Sequence, residues 1–360
     1  METPLIEPTP SVSLPEESPG RHRLKLVLIF LILVMDVLGL MVLSPVAPFI
    51  VKQYSASALA VTMVTMIFAA AQFFASPLMG KLGDRFGRRP VLLLCLLGQA
   101  LGYVIFGLSG SLFVLYLGRV IGGITAGSIS TASAYIADIS KPDERARNFS
   151  LVGIAWSVGL IVGPAVGAAL GNIDLNAPAF VSAGVLVVGA LVSFFLLPES
   201  LPKEQRNPAP LKVSDFNPLH AILEMGRKPR LGWLLVAYAI FAVGFNGMQS
   251  TASLFYIDKF KADPAQVGTI IAVAGIATGI MQFLVVQPIV RRFGERRVLL
   301  TGLVGQAFSY LALFFAPALW LIYPFNMLAS ASGSFIFPTF TLLTVNKVEH
   351  REVGLLLGVT

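Results

Sequence analysis

Charge is scarce in this chain of 360 residues: aspartate, glutamate, lysine and arginine together make up only 12% of it, whereas hydrophobic residues make up 56%. Soluble globular domains carry about 25% charged residues, so this is not the composition of a protein whose whole surface faces water. The formal net charge is +7. Its basic residues stand in short turns between apolar runs, which is typical of membrane topology and argues against a nucleic acid partner.

Cysteine and histidine are rare as well. The single cysteine, Cys95, lies within an apolar run, so neither a disulfide framework nor a cysteine metal site is available. The three histidines, His22, His220 and His350, stand outside the long apolar segments. With no nucleophile–base set and no metal-ligand cluster in the pattern, the sequence predicts a protein that is not an enzyme and has no metal site.

Apolar segments long enough to cross a bilayer recur along the whole chain. They lie at about 24–50, 58–80, 91–109, 111–136, 149–170 and 178–198, and then at about 231–257, 265–289, 297–316 and 318–343. Residues 351–360 resemble the opening of another. The pattern predicts an all-α polytopic membrane protein with about ten spans plus the start of an eleventh.

The distribution of lysine and arginine predicts the orientation. If the N-terminus is cytoplasmic, the cytoplasmic segments hold 22 of the 26 basic residues and the outer loops hold only Lys52, Lys259 and Lys261. The remaining one, Arg119, lies within a span. Because basic residues accumulate on the cytoplasmic side, we expect a multi-pass protein of the inner or plasma membrane with a cytoplasmic N-terminus.

The chain divides into two related halves. A shift of 207 residues places Arg85-Phe86-Gly87 on Arg292-Phe293-Gly294 and Gly98-Gln99-Ala100 on Gly305-Gln306-Ala307. Between the halves lies a proline-containing polar stretch. These features predict a disordered cytoplasmic tail at 1–23, a six-helix bundle at 24–198, a cytoplasmic linker at 199–230 and a second, parallel bundle at 231–360.

The same shift predicts where the second bundle would end. The first bundle extends to about Leu197, so its copy would extend to about residue 404, beyond Thr360. The second bundle is therefore expected to lack its last two helices in this chain. A fragment of a longer protein and a natural truncation are both compatible with that.

The turn at 80–91 joins two spans and concentrates charge and glycine. We expect Asp84 to lie near the N-terminus of the following helix, where the helix dipole favours an anion, and to pair with Arg145 or Arg147 in the neighbouring turn. Gly80 and Gly87 would allow close helix approach and a sharp turn. The predicted cytoplasmic latch comprises Gly80, Asp84, Arg85, Gly87, Arg88 and Arg145.

Two charges lie inside spans, Asp36 in the first and Arg119 in the fourth. Asp36 lies roughly 18 Å from the inner end of its helix and Arg119 roughly 12 Å from the outer end of its own, which is nearly the same plane of the bilayer. A carboxylate near an arginine, in a cavity open alternately to each side, can take up and release a proton. The alternative is a static ion pair between the first and fourth helices.

Three motifs carry a family resemblance. Gly80-x-Leu82-Gly83-Asp84-Arg85-x-Gly87-Arg88-Arg89 resembles the signature loop of the major facilitator superfamily. Leu117-Gly118-Arg119-x-x-x-Gly123 resembles its fourth-helix motif, and Gly159-x-x-x-Gly163-Pro164-x-x-Gly167-Ala168 resembles the fifth-helix motif of drug–proton antiporters. The resemblance implies two parallel six-helix bundles and proton-coupled efflux driven by the proton gradient, without a cofactor.

The antiporter motif, Gly159, Gly163, Pro164 and Gly167, stacks small residues on one helix around a proline. Small faces let helices pack closely, and Pro164 frees a backbone carbonyl and permits a bend. Ordinary close packing and a hinge are equally compatible with this pattern.

Polar residues within spans are candidate substrate contacts, although each could equally form a hydrogen bond between helices. In the tetracycline pumps the eighth helix carries a histidine one turn before a glutamine; here Gln282 matches, but Thr278 stands at the histidine position. The resemblance therefore implies a broader amphiphilic or drug-like substrate. The candidates are Gln72, Asn246, Gln249, Gln282 and Asn326.

The sequence thus predicts a monomeric secondary transporter that exports a small molecule against protons by alternating access. A proton-linked importer of a metabolite is the alternative, and a truncated membrane protein without transport activity is another. The expected partners are the small-molecule substrate, protons and the lipid bilayer.

Overall fold

The computed structural model describes residues 19–141, 144–206 and 229–345, and these residues form a helical membrane protein. In the first half, α1 is followed by the short α2, and a loop then leads into α3. A tight turn at Gly87 separates α3 from α4. The helices of the first half are α1 (Pro19–Leu43), α2 (Ala47–Lys52), α3 (Ala58–Phe86), α4 (Arg88–Gly107), α5 (Leu112–Ile124), α6 (Ser128–Ile139), α7 (Arg145–Gly171) and α8 (Ala177–Phe195).

The second half repeats this order as far as the described residues extend. A turn at Gly294 separates α11 from α12, as Gly87 separates α3 from α4. A π-helical turn, Met281–Val285, joins α10 to α11. The helices are α9 (Pro229–Phe260), α10 (Pro264–Ile280), α11 (Val286–Phe293), α12 (Glu295–Phe315) and α13 (Ile322–Val345).

All ten predicted spans coincide with helical segments. Among the described residues, eight helical segments are long and apolar enough to cross a membrane by length and composition. The two spans predicted at 265–289 and 318–343 are not among those eight. The first corresponds to the shorter α10 and its continuation through the π-helical turn, and the second to the 24 residues of α13.

Two predicted boundaries need correction. Helix α1 begins at Pro19, so residues 19–23, which the composition assigned to a disordered tail, are helical. The first residues of the predicted linker, 199–206, lie against the first bundle: the Ser200 hydroxyl donates to the carboxylate of Asp138 (2.9 Å), and the carboxylate of Glu199 accepts from the backbone N–H of Arg88 (2.8 Å). The rest of the tail, and 207–228 of the linker, lie outside the described residues.

The fourth predicted span is broken into α5 and α6. Thr125, Ala126 and Gly127 leave the α-helical conformation, and the Thr125 hydroxyl donates to the carbonyl of Ile121 (2.9 Å). The Gln72 amide, on α3, donates to the freed carbonyl of Ala126 (3.0 Å). A break inside a membrane is tolerated where neighbouring side chains satisfy the backbone, and Gln72 does so here.

Helix α1 is central to the first bundle, where it packs against α7 and α8, while α4 packs against α5 and α8. Its buried leucine and isoleucine side chains belong to one apolar core that includes residues from Leu28 to Leu197 and also Leu254 of α9. A second core, around Tyr256, Val267 and Ile270, joins α9 and α10 to the end of α12.

Matching helices of the two halves expose matching apolar stripes. Leu97 and Leu101 on α4 and Leu108 directly after it are exposed, and on α12 the residues 207 positions later, Val304, Phe308 and Phe315, are exposed too. An apolar stripe of this length is unfavourable in water and stable against lipid. We therefore assign these stripes to the lipid-facing surface.

Candidate functional site

Asp36 lies deep in the first bundle and is held by neutral side chains alone. It is 5% exposed. The Gln99 amide, on α4, donates to one carboxylate oxygen (3.0 Å), and the Ser128 hydroxyl donates to the other (2.7 Å). Gln99 also donates to the Ser128 oxygen (3.1 Å). These bonds tie α1, α4 and α6 together around one buried carboxyl group.

The break in the fourth span positions Ser128. Ser128 is the first residue of α6, directly after Gly127, and the helix turns there toward α1. An added Cβ at Gly127 would lie 2.6 Å from the Cβ of Met79, so only glycine fits between α3 and the start of α6. Gln99 and Ser128 were not predicted as site residues. The one signal for Gln99 in the sequence is its place in the internal repeat, opposite Gln306.

Arg119 lies in an aromatic box. Its guanidinium carbon is 4.7 Å from the ring centroid of Phe106, 5.7 Å from that of Phe68 and 5.8 Å from that of Tyr103. Rings that face a cation within about 6 Å attract it through their quadrupoles. The Nε atom of Arg119 is buried and has no hydrogen-bond partner among the described residues.

The static ion pair between Asp36 and Arg119, which was the alternative to proton coupling, does not form in this conformation. No carboxylate in the described part of the chain lies within 4.0 Å of Arg119, and the carboxylate of Asp36 binds Gln99 and Ser128 instead. The two charges are nevertheless linked, because Gln99 and Arg119 line the same narrow cleft. Helix depth alone could not show that Gln99 binds the carboxylate of Asp36 while Arg119 packs against three aromatic rings.

The second bundle has no counterpart of this arrangement. The residue 207 positions after Asp36 is Val243, which is 75% exposed, and the one after Arg119 is Asn326, which is half-buried. Among the described residues, the charged side chains well inside the predicted spans, Asp36 and Arg119, thus both lie in the first half.

The turn at 80–91 holds a chain of charges. Asp84, at the end of α3, accepts from Arg88 (2.7 Å), and the same guanidinium donates to Asp138 at the end of α6 (3.0 Å). The Ser200 hydroxyl also donates to Asp138 (2.9 Å). Asp138 and Ser200 were not predicted. Asp84 pairs with Arg88, and the side chains of its predicted partners, Arg145 and Arg147, lie outside the described residues.

Glu199, not Asp84, is the anion at the start of α4. Its carboxylate accepts from the backbone N–H groups of Arg88 (2.8 Å) and Arg89 (3.2 Å), which the helix itself leaves unpaired. Gly87 is required beside it, because its φ is +106° and an added Cβ would collide with the Glu199 carboxylate. Sequence spacing missed Glu199 because it follows α8, more than a hundred residues away.

The structure differs from the prediction at two latch residues, Gly80 and Arg85. At Gly80 no atom of the described residues lies within 4 Å of where a Cβ would lie, so none of them makes the close helix approach predicted there. The Arg85 guanidinium carbon lies 5.5 Å from the ring centroid of Phe86, and among the described residues Arg85 has no carboxylate partner. In this conformation, the described side chains of the latch interact within the first half.

Replacing Glu199 with alanine is expected to lower the unfolding temperature of the detergent-solubilised protein by several degrees. Loss of a helix cap costs about 0.5–2 kcal/mol, and two backbone donors would lose their acceptor. Thermal unfolding followed by intrinsic fluorescence measures this. Glu204→Ala is the matched control, since Glu204 is exposed in the neighbouring 3₁₀ turn. Equal shifts for both variants would contradict the capping role.

The antiporter motif packs α7 between α1 and α10. Added Cβ atoms at Gly159, Gly163 and Gly167 would collide with Val37, Met41 and Val42 of α1. On the other side of α7, an added Cβ at Gly268 of α10 would overlap Ala168 and lie 2.8 Å from the Pro164 carbonyl oxygen. One at Gly275 would lie 2.8 Å from the Leu160 carbonyl oxygen. The motif thus brings the two bundles into backbone contact.

An ion pair joins the bundles at the same end of the molecule. The Lys52 ammonium, at the end of α2, donates to the carboxylate of Asp258 near the end of α9. Nearby, Phe49 packs against the apolar core of the second bundle. These contacts, together with those between α7 and α10, close this end of the molecule.

The five candidate substrate residues are not gathered in one described cavity. Gln72 binds the Ala126 carbonyl, and Asn246 donates to the Ala242 carbonyl of its own helix (2.8 Å). Gln249 and Gln282 are exposed, and Asn326 is half-buried. A cavity of about 440 Å³ lies between α9 and α12 and is lined instead by residues that include Thr251, Asp258 and Tyr310.

A family model described as Major Facilitator Superfamily matches residues 29–360. Among curated proteins, the chain is 33% identical to the tetracycline resistance protein, class C, of Escherichia coli, over 90% of this chain and 82% of that one. It is 31% identical to the class G protein of Vibrio anguillarum, over 93% and 85%. It is 30% identical to multidrug resistance protein 2 of Bacillus subtilis (strain 168), over 78% and 71%.

Solved structures show the same fold. The human organic anion transporter MFSD10 (TETRAN) superposes with a TM-score of 0.72 at 24% identity, over 95% of this chain and 90% of that one. A bacterial homologue of the human lysosomal transporter Spinster, solved in an inward-facing, unoccupied conformation, gives a TM-score of 0.74 at 22% identity, over 95% and 80%. At these identities the likeness concerns the fold alone.

Proposed function

This chain belongs to the major facilitator superfamily and is a multi-pass secondary transporter rather than an enzyme, and we propose that it exports a small amphiphilic or drug-like molecule in exchange for protons. Its curated relatives include tetracycline and multidrug resistance proteins. The antiporter motif and its packing against α1 and α10 support the same assignment.

The observation that carries the proposal is the environment of Asp36. Among the described residues, it is the one buried acidic side chain, and its hydrogen-bond partners are neutral. A charged group within a membrane is costly, by at least about 2.5 kcal/mol on insertion scales, and such groups often mark ion pathways. Asp36 has no cation to neutralise it here, so a proton is the species that fits.

Protonation of Asp36 would change the hydrogen bonds that join three helices. The carboxylate now accepts from both Gln99 and Ser128; a carboxylic acid would donate from one oxygen, so one of these partners must turn and accept. Ser128 stands at the break between α5 and α6, and Gln99 borders the cleft of Arg119. A proton on Asp36 would therefore change the hydrogen bonds at the break between α5 and α6 and beside the cleft of Arg119. This keeps Arg119 as a second candidate residue for proton coupling.

Alternating access would use the contacts at the two ends. With the N-terminus cytoplasmic, the end closed by Lys52–Asp258 and by α7 against α10 is the outer one. The latch around Asp84, Arg88 and Asp138 lies at the cytoplasmic end. We propose that the outer contacts open and the cytoplasmic end closes when the transporter faces outward, in the inner or plasma membrane and as a monomer.

Flux in proteoliposomes distinguishes antiport from symport whatever the orientation of the protein. We expect a pH gradient with an acidic lumen to drive accumulation of an amphiphilic probe such as ethidium, because protons leave as the probe enters. Liposomes without protein and liposomes treated with a proton ionophore are the controls. Accumulation only under the opposite gradient would contradict antiport and indicate a proton-linked importer.

We propose a substrate class that is broader than the tetracyclines after which several relatives are named. Thr278, which stands where the tetracycline pumps have a histidine, donates to the Ala274 carbonyl of its own helix (3.0 Å). A hydroxyl bound in this way is not a strong ligand for a metal–drug complex. Tetracycline with and without a divalent cation belongs in the same flux assay, and Gln72, Asn246, Gln249, Gln282 and Asn326 stay predicted substrate contacts.

A further inference from the structure

The turn between α11 and α12 keeps the basic residues of its counterpart in the first half but loses the acids around them. Arg291 stands where the first half has Asp84, and Val345 stands where it has Asp138. Between residues 287 and 300, Glu295 is the single acidic residue among four arginines. We call Arg291, Arg292, Arg296 and Arg297 the basic turn.

The side chains of the basic turn are exposed. All four arginines face the surface, and in the described part of the chain none has a carboxylate oxygen within 4.0 Å. In the first half, by contrast, Arg88 has two such partners, and Arg89 donates to carbonyls of α8. The positive charge of the basic turn is therefore available to a partner.

The basic turn also stands at the edge of a lipid-facing surface. Arg297 lies on one helical stripe with Thr301, Val304, Phe308 and Phe315, since these residues follow it at helical spacing. The last three are exposed apolar residues, as are their counterparts on α4. Arg292 stacks on the ring of Phe293 (5.5 Å), which is 51% exposed. An apolar stripe that ends in arginines and an exposed phenylalanine matches the boundary between acyl chains and headgroups.

We propose that the basic turn binds the headgroup of an anionic phospholipid in the cytoplasmic leaflet. The arginines would hold the phosphate through paired N–H donors, while the stripe of α12 contacts the acyl chains. The counterpart in the first half would not compete well, because Asp84 and Asp138 already pair with its Arg88 and Glu199 adds a further negative charge at the start of α4. The proposal rests on the cytoplasmic placement of this turn and is independent of the transported substrate.

Native mass spectrometry of the full chain with phosphatidylglycerol tests the proposal. Each basic residue near a membrane surface contributes to anionic lipid binding, so Arg291→Gln combined with Arg297→Gln is expected to weaken the tightest phosphatidylglycerol site about 30-fold. The binding of zwitterionic phosphatidylcholine should not change. Arg291→Lys combined with Arg297→Lys keeps the charge and should retain most of the affinity.

The matched control is Arg21→Gln combined with Arg23→Gln. It removes the same charge from exposed residues at the cytoplasmic end of α1. An equal loss in this control would overturn the proposal, because net charge alone would then explain binding. So would unchanged phosphatidylglycerol binding in the glutamine variant, or full competition by inorganic phosphate at the same concentration, which would indicate a site for free phosphate.

Discussion

Asp36→Asn is expected to abolish pH-driven transport, with a fall of about two orders of magnitude or more, and to leave folded protein in the membrane. Asparagine has nearly the same shape and cannot take up a proton at neutral pH. Its carbonyl can still accept from Gln99, and the Ser128 hydroxyl can accept from its amide, so the junction of α1, α4 and α6 stays satisfied. Proteoliposome flux, together with the amount of protein recovered from membranes, measures both parts.

Asp174→Asn provides the comparison for this result. Asp174 lies in the exposed loop between α7 and α8, so the same chemical change occurs outside the membrane and pH-driven flux should persist. Substrate exchange without a pH gradient should survive in Asp36→Asn if the variant still binds substrate. Undiminished pH-driven transport in that variant would remove Asp36 from the coupling mechanism.

Gly268→Ala is expected to disable the transporter by a different route, by holding open the end of the molecule that Lys52 and Asp258 close. The new methyl group would overlap Ala168 across the contact between α7 and α10. Overpacking of this kind costs about 1–3 kcal/mol, and 2 kcal/mol shifts the balance between the closed and open states about 30-fold. Steady transport should fall by a similar factor, while folding should persist because the two bundles are separate helical units.

A distance measurement across the outer end separates this effect from misfolding. Spin labels at Gln53→Cys and Lys261→Cys should lie farther apart in Gly268→Ala than in the parent, and buried Cys95 should not react. Gly279→Ala is the control on the same helix, because its Cβ would meet only Ile161, at an ordinary 3.9 Å. An unchanged distance combined with lost transport would refute the closure role.

Much of the fold could be predicted because each membrane span must be apolar and the charged residues must collect in the turns between spans. This local rule applies to every segment that crosses the bilayer. It therefore underlies the prediction of the ten helical segments, of the repeat and of Asp36 as an isolated charge within a span. The same rule marks 80–91 as a charged turn. Gly87 allows the sharp turn, as predicted, because the turn requires a positive φ that glycine adopts readily.

The partners of these charges could not be predicted, since they depend on how helices meet. Arg119 at the depth of Asp36 indicated an ion pair, but the rotation of α5 directs it toward Phe68, Tyr103 and Phe106. Glu199 reaches the start of α4 only because α8 ends beside it. Gln99 and Ser128 are ordinary polar residues in sequence, and their importance comes from meeting one carboxylate at the break after α5.

If Asp36 couples transport as proposed, it also limits how far the substrate can be concentrated, because it is the one buried carboxyl group among the described residues. One titratable group would carry one proton per cycle, and a proton crossing a gradient of one pH unit supplies about 1.4 kcal/mol, which supports about tenfold accumulation. If the cargo is neutral, each cycle moves one net charge, so a membrane potential of 100 mV adds about 2.3 kcal/mol, or roughly 50-fold. If the cargo is a monovalent cation, the exchange is electrically silent and only the pH gradient contributes. A current measured on a solid-supported membrane would therefore report the charge of the cargo.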